Sequence, residues 1–290
     1  MAIATALQLQ PVHPLFGVEV SGVDVRHLDD AAFGRVRAAF EEHSVLVFHD
    51  QRLTDEEQIA FSVRFGPLED TISGVARNKK MRSEIADLSN VDPDGNVIPG
   101  DDKRMVYHSG NQLWHTDSSF KRVPALASLL SGRECPPEGG ETEFASMRAA
   151  YALLSEEDKR AIEGRVAMHS FAYSRGLVAP DLLTPEQEVA LPPVPQAMVR
   201  SNPVNGRKSY YVASHASHIV GMPVEEGRAI IRRLLDFATQ PERVYSHRWI
   251  PGDLVMWDNR AMLHRGRAWD YAKHRRVMHR TTVAGEGPTA

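Results

Sequence analysis

The sequence predicts a mainly β fold, built as two facing antiparallel sheets with helices packed outside them. Three observations carry this. Short apolar or alternating runs of strand length fill the middle and the end of the chain. Helical patterns are few, and they do not alternate regularly with the strands, which argues against a doubly wound parallel sheet. No internal repeat, low-complexity stretch or linker divides the 290 residues, so one domain over 1–290 is expected.

The elements follow in order. Phe16-Gly17-Val18-Glu19-Val20 reads as a strand ending at Ser21-Gly22, and Val23 and Val25 then alternate with Asp24 and Arg26 as a second one would. Asp29-Asp30 caps a helix that carries Phe33, Val36, Ala39 and Phe40 on one face. Ser44-Val45-Leu46-Val47-Phe48 is nearly all apolar, as a strand buried on both faces would be. Thr54 with Glu57 three residues on is a capping box, and the helix that it opens stops at Gly66-Pro67. Residues 70–110 are polar and rich in Gly, Asp and Lys, with a strand-like patch at 85–91, and read as an active-site lid. Residues 155–163 form a helix with Ser155 as N-cap, and residues 222–238 form another. The Pro-rich stretch at 177–195 reads as a loop between them. Residues 253–257 and 275–283 are strand-like.

Composition is ordinary for a globular protein: 42% hydrophobic, 25% charged, net charge -4. Nothing in that balance points to nucleic acid or an anionic membrane surface. The single cysteine, Cys135, excludes an internal disulfide framework and a Cys-based metal centre, and fits a reducing compartment. Its setting, Glu134-Cys135-Pro136-Pro137, has no adjacent His or Gly-rich turn, so it does not read as a nucleophile. No apolar run is long enough to span a membrane, and the first 14 residues lack signal-peptide character. A cytoplasmic protein acting on a small molecule is the expectation.

The sharpest motif is Trp114-His115-Thr116-Asp117. On a strand, residues i and i+2 share a face, so His115 and Asp117 can reach one metal ion. A lone His-x-Asp is weak evidence, because it recurs by chance. Here it lies between Gly110-Asn111-Gln112-Leu113 and Ser118-Ser119-Phe120, a polar patch where core strands would be apolar. A second histidine would complete the 2-His-1-carboxylate triad of non-haem iron oxygenases, which leaves coordination positions open. Of the 13 histidines, His264 stands out, because it follows a turn, the strand-like Asp253-Leu254-Val255-Met256-Trp257 and a second turn. Beyond it lies Arg275-Arg276-Val277-Met278-His279-Arg280, where Arg276 and Arg280 share a strand face. Two arginines beside a metal site need anionic partners, and Arg suits a carboxylate held through two parallel hydrogen bonds. Without the metal motif, a solvated, charged edge strand would be the preferred explanation of them.

These residues resemble the taurine/2,4-D dioxygenase family of Fe(II)- and 2-oxoglutarate-dependent oxygenases over nearly the whole chain. Trp114-His115-Thr116-Asp117, Gly139-Gly140-Glu141-Thr142, Trp257-Asp258-Asn259 with His264, and 275–280 match the family hallmarks in order. Residues 111–120, 147–151, 214–218 and 254–267 are closest to its aryloxyacetate (2,4-D) branch. The resemblance implies a double-stranded β-helix, or jelly roll, with flanking helices. It implies iron(II) on His115, Asp117 and His264, and the far carboxylate of 2-oxoglutarate on Arg276 and Thr142. It further implies the substrate acid on Arg280, with Asn111 and His215 lining the substrate pocket and Trp257 and Asp258 orienting the strand before His264. The reaction implied uses O2 to hydroxylate a small carboxylate, an aryloxyacetate such as 2,4-D first, releasing a phenol, glyoxylate, succinate and CO2. Members usually form homo-oligomers. In the aryloxyacetate branch a lysine is expected soon after Gly66-Pro67-Leu68-Glu69; here Asp70-Thr71-Ile72-Ser73-Gly74 has none, and Lys79 or Lys80 remains as a second anion contact.

Three other readings stay open at this point. A sulfonate or sulfate-ester dioxygenase would use Arg280 in the same way. A metal-retaining jelly roll without turnover would form no succinate. A zinc hydrolase would need no iron, but it would leave the paired arginines unexplained and lacks an evident general base.

Overall fold

The computed structural model describes residues 7–71, 81–180 and 182–290. Its largest sheet has seven strands in the spatial order Gln8–Pro11, Val18–Ser21, Val45–Phe48, Leu254–Asp258, Ala127–Glu134, Val277–Val283 and Ala86–Asp87. All neighbours are antiparallel except Val18–Ser21 beside Val45–Phe48. A second sheet sets Thr142–Ser146 between Val244–His247 and Met262–Gly266. Alternation assigns each strand's side chains to two layers. Val45, Val47, Val255 and Trp257 pack with Phe144 and Met262 in an apolar layer shared by the two sheets. Leu46, Phe48, Leu254 and Met256 point the other way, onto the helix Asp30–His43 and onto Phe61 of the helix Asp55–Ser62. That is why these strands are apolar at every position: both of their faces are buried.

The outer face of the smaller sheet is covered in the same manner. Ala145 and Leu263 pack with Met147 and Ala150 of the helix Met147–Leu153, and with Ile231, Leu234 and Ala238 of the helix Val224–Ala238. A three-stranded sheet of Ala216–Ile219, Val166–His169 and Val194–Ala197 and a hairpin of Val199–Ser201 with Lys208–Tyr210 complete the β structure. The jelly roll with flanking helices expected from the sequence is therefore present, and the chain passes between the two large sheets at Asn259-Arg260-Ala261.

The capping box at Thr54 and the N-caps at Asp29 and Ser155 form as expected. Local chemistry overrules four other expectations. Val25–His27 is a 3-10 turn, because the Asp24 carboxylate accepts from the Arg26 backbone N–H. A helix at Lys103–Ser109, capped by Asp102, lies in the stretch read as lid, and another at Pro185–Ala190, with its own capping box, in the stretch read as loop. His115 and Asp117 do not share a strand. His115 makes a single antiparallel bridge to His264, and the chain then turns, with Ser118 at φ +56°.

Candidate active site

The bridge brings His115 to His264 through two backbone hydrogen bonds, of 3.0 and 2.8 Å, so a residue from the 110–120 segment sits beside one on Met262–Gly266. The turn at Ser118 folds Asp117 back toward the pair. Candidate ligand atoms of His115, Asp117 and His264 all lie within 4.8 Å of one another, and all three residues are buried. His115 Nδ1 faces the Leu113 carbonyl at 2.8 Å; it must donate there, which leaves Nε2 as the lone-pair atom, 3.9 Å from Asp117 Oδ1. His264 Nε2 lies 3.6 Å from Asp117 Oδ2, while its buried Nδ1 has no partner among the described residues.

Charge supports the same arrangement. Burial pushes both imidazoles down from their ordinary pKa, His264 strongly, so they are neutral, the form that binds metal. Burial opposes the charge on Asp117, but the Arg280 guanidinium, with the Ser128 hydroxyl, offsets it and holds the carboxyl well below the usual carboxylate range. Two neutral imidazoles and a carboxylate, close together in a buried place, are a donor set that fits iron(II).

Ser128, which the sequence reading did not single out, and Asn259 position Asp117. Ser128 donates to its Oδ2 at 2.6 Å, and Asn259 Nδ2 donates to Ser128 at 2.9 Å. Asn259 Oδ1 accepts from the Asp117 backbone N–H at 3.1 Å and from Trp257 Nε1 at 3.0 Å. Trp257 lies against His264, with ring centroids 4.5 Å apart. Asp258 turns away to pair with Arg260. Both therefore orient the strand, as expected.

Two cavities meet at the three residues. One is lined by Thr142, Trp257, His264, Trp269, Arg276 and Arg280. In it Arg276 is 7% exposed, and burial lowers its pKa to about 10. Its Nε reaches the Gly140 carbonyl at 3.3 Å, where a Cβ would come within 3.1 Å of the guanidinium. No carboxylate among the described residues pairs with it. Thr142 Oγ1 accepts from Trp249 Nε1 at 3.0 Å, which frees its own proton for a second partner. An unpaired guanidinium beside a free hydroxyl suits a carboxylate.

The other cavity is lined by Tyr107, Asn111, Phe120, Phe171, Arg175, His215 and Arg280, and on one side by residues from 81–104. Arg280 donates to Asp117 Oδ1 at 2.5 Å, while its buried Nε has no partner among the described residues. His215 stands 6.4 Å from His115 between ring centroids, held by a 2.7 Å bond between its Nδ1 and Ser174 Oγ. All eight predicted site residues thus converge on the two cavities. Lys79 and Lys80 lie outside the described residues. Cys135 lies apart from the His115–Asp117–His264 cluster, and burial pushes its thiol up to about 11, the reverse of nucleophile activation.

A jelly roll that gathers two histidines and an aspartate between two anion-receptive cavities defines a non-haem oxygenase that couples an oxo-acid to a second acid. The chain matches the family described as "Taurine catabolism dioxygenase TauD, TfdA family" over residues 8–282, and it belongs to that family. It is an Fe(II)- and 2-oxoglutarate-dependent dioxygenase. It is 44% identical over 276 residues to an alpha-ketoglutarate-dependent 2,4-dichlorophenoxyacetate dioxygenase of Cupriavidus pinatubonensis, covering 94% of this chain and 96% of the relative. It is 39% identical to an (S)-phenoxypropionate/alpha-ketoglutarate-dioxygenase of Sphingobium herbicidovorans, covering 98% and 97%. Among solved structures, AAD-2 in complex with Mn(II) and N-oxalylglycine superposes with a TM-score of 0.90 at 44% identity, over 98% of this chain and 99% of that one.

Proposed function

We propose that this dioxygenase hydroxylates the carbon between an ether oxygen and a carboxylate, with an aryloxyacetate such as 2,4-D as its substrate. The observation that carries this is the pair of arginine-bearing cavities, one on Arg276 and one on Arg280, meeting at a single metal-competent cluster.

His115, Asp117 and His264 would hold the iron. Bound there, iron(II) supplies oxidising power drawn from O2 and from the oxidative decarboxylation of 2-oxoglutarate to succinate and CO2. Arg276 and Thr142 would bind the far carboxylate of 2-oxoglutarate, in the same cavity that His264 lines. Arg280 keeps one nitrogen on Asp117 and offers its free Nε to the substrate acid. Asn111, His215, Phe120 and Phe171 enclose the aryl group and exclude water. Hydroxylation of the aryloxyacetate carbon gives a hemiacetal. The bond between the hydroxylated carbon and the aryloxy oxygen breaks, that oxygen takes the hydroxyl proton, and phenol and glyoxylate leave.

Residues 70–110 act as the lid, a role supported by Glu84, Ile85, Leu88, Arg104 and Tyr107 lining the substrate cavity. The enzyme is a single domain over 1–290 that works in the cytoplasm as a homo-oligomer.

The test adds iron(II) and 2-oxoglutarate without oxygen, then O2 with a panel of acids, and scores succinate and phenol. Phenol in step with succinate from 2,4-D is expected. Succinate driven by a sulfonate or sulfate ester without phenol would move the substrate class, and no succinate with any acid would remove the catalytic reading.

A further inference from the structure

Among the described residues, a buried cation in the substrate cavity has no anion to meet it. Arg175 lies on the six-residue helix Phe171–Gly176 and is 8% exposed. Among the described residues no carboxylate pairs with it. Its Nη1 donates to the Tyr107 carbonyl at 3.3 Å, the Tyr107 side chain also meets the guanidinium, and its buried Nε has no partner among the described residues. The guanidinium is clamped between two aromatic faces, 4.6 Å from the Tyr107 ring centroid and 4.8 Å from that of Phe171. It passes so close to Gly110 that a Cβ there would fall 1.5 Å from Nη1, so the backbone itself leaves room for this side chain.

Arg175 shares the cavity with Arg280, and each guanidinium lies within electrostatic reach of the other. The carboxylate nearest the reacting centre, Asp117, is already engaged by Arg280 and Ser128. A buried guanidinium is retained at a cost in desolvation, and an incoming anion repays it. Ser174, one residue earlier, holds His215, so this short helix places two side chains in the cavity at once.

We propose that Arg175 is the second anion contact of the substrate cavity, binding the acid group of the substrate together with Arg280. This rests on the reading of that cavity as the substrate site. It also removes the need for a lysine in the segment after Glu69, because the guanidinium reaches the cavity from a different element.

The test is equilibrium binding without oxygen, by calorimetry, to protein loaded with Mn(II) and 2-oxoglutarate. The probes are 2,4-dichlorophenoxyacetate and its neutral amide. The wild type is expected to prefer the acid. Arg175→Gln is expected to lose about 30-fold or more in affinity for the acid, with little change for the amide and less than about threefold change for 2-oxoglutarate. Arg175→Lys keeps the charge and stem but not the planar fork; if Arg175→Gln does not fold, it is expected to lose at least about tenfold. Undiminished acid affinity in either variant overturns the proposal while leaving the site reading intact. Equal losses for acid and amide overturn it as well, since Arg175 would then only shape the cavity. A wild type that binds 2-oxoglutarate but neither probe overturns the substrate reading and this proposal with it.

Discussion

Asp117 is the most tightly held side chain of the site. Each of its oxygens is engaged, Oδ1 by Arg280 and Oδ2 by Ser128, and its backbone N–H is tied to Asn259. Asn259 touches neither cavity, yet it links Asp117, Ser128 and Trp257. Asn259→Ala is therefore expected to weaken metal binding by about 10–100-fold, the usual cost of losing a partner that orients a ligand. Metal titration followed by calorimetry checks this; unchanged affinity would mean that the Ser118 turn alone sets the carboxylate. The arginines divide in the same way. Arg276→Gln should raise the 2-oxoglutarate requirement far more than the substrate requirement, and Arg280→Gln the reverse, by the 2–5 kcal/mol or so that a truncated charge-assisted contact costs. Steady-state KM values for both ligands decide it, and equal effects would dissolve the division. At this scale the motif residues were legible, because a polar His-x-Asp within a core-like stretch contradicts its surroundings. Arg175 was not. No motif marks Ser174-Arg175-Gly176, and Gly110, distant in the sequence, leaves the space in which the guanidinium is buried.

At the scale of elements, strands buried on both faces set the site. Val45–Phe48 and Leu254–Asp258 were readable as apolar runs, and the structure divides each run between two apolar layers. The placement of His115 was not readable. The sequence offered a strand on which i and i+2 share a face; the molecule uses one bridge pair and a left-handed turn instead. Both arrangements bring the two side chains together, so the pairing of His115 with Asp117 does not depend on the strand geometry expected for it. The helices at Lys103–Ser109 and Pro185–Ala190 were hidden for another reason: each buries at most one side chain, so neither leaves an apolar stripe to detect. Strand contacts also reach the cavity that holds Arg276. Trp249 lies just beyond Val244–His247 and donates to Thr142 at the start of the neighbouring strand. Trp249→Phe removes that donor while keeping the ring's bulk. The Thr142 hydroxyl can then rotate away, and the KM for 2-oxoglutarate should rise by about 2- to 12-fold, one neutral hydrogen bond's worth. A KM that does not move would show that Thr142 needs no such support.

Over the whole molecule, several neutral histidines are locked inside the fold. His169 is fully buried and stacked on Tyr211 at 5.6 Å between ring centroids. Burial, aided by the charge of Arg200, lowers its pKa to about 3. In the unfolded chain the value returns to about 6.5. The unfolded state therefore binds a proton that the folded state refuses. The stabilisation is complete above about pH 6.5 and is lost as pH falls toward 3, by at most about 1.4 kcal/mol per pH unit. Urea unfolding at pH 7 and pH 5 should show a smaller acid-induced drop in His169→Phe than in the wild type. Parallel drops would place the acid sensitivity elsewhere. Among the described residues no helix is long and apolar enough to cross a membrane.

The central claim is that His115, Asp117 and His264 together form one iron site. The most direct measurement is iron(II) binding under nitrogen, by calorimetry, to the wild type and to Asp117→Ala and His264→Ala, with urea unfolding of each protein alongside. One ion per chain in the wild type, binding weakened by at least about a hundredfold in both variants, and a cooperative unfolding transition in all three is the predicted result. Undiminished binding in either variant, or loss of cooperative unfolding when these side chains are removed, would contradict the claim and make the cluster part of the scaffold.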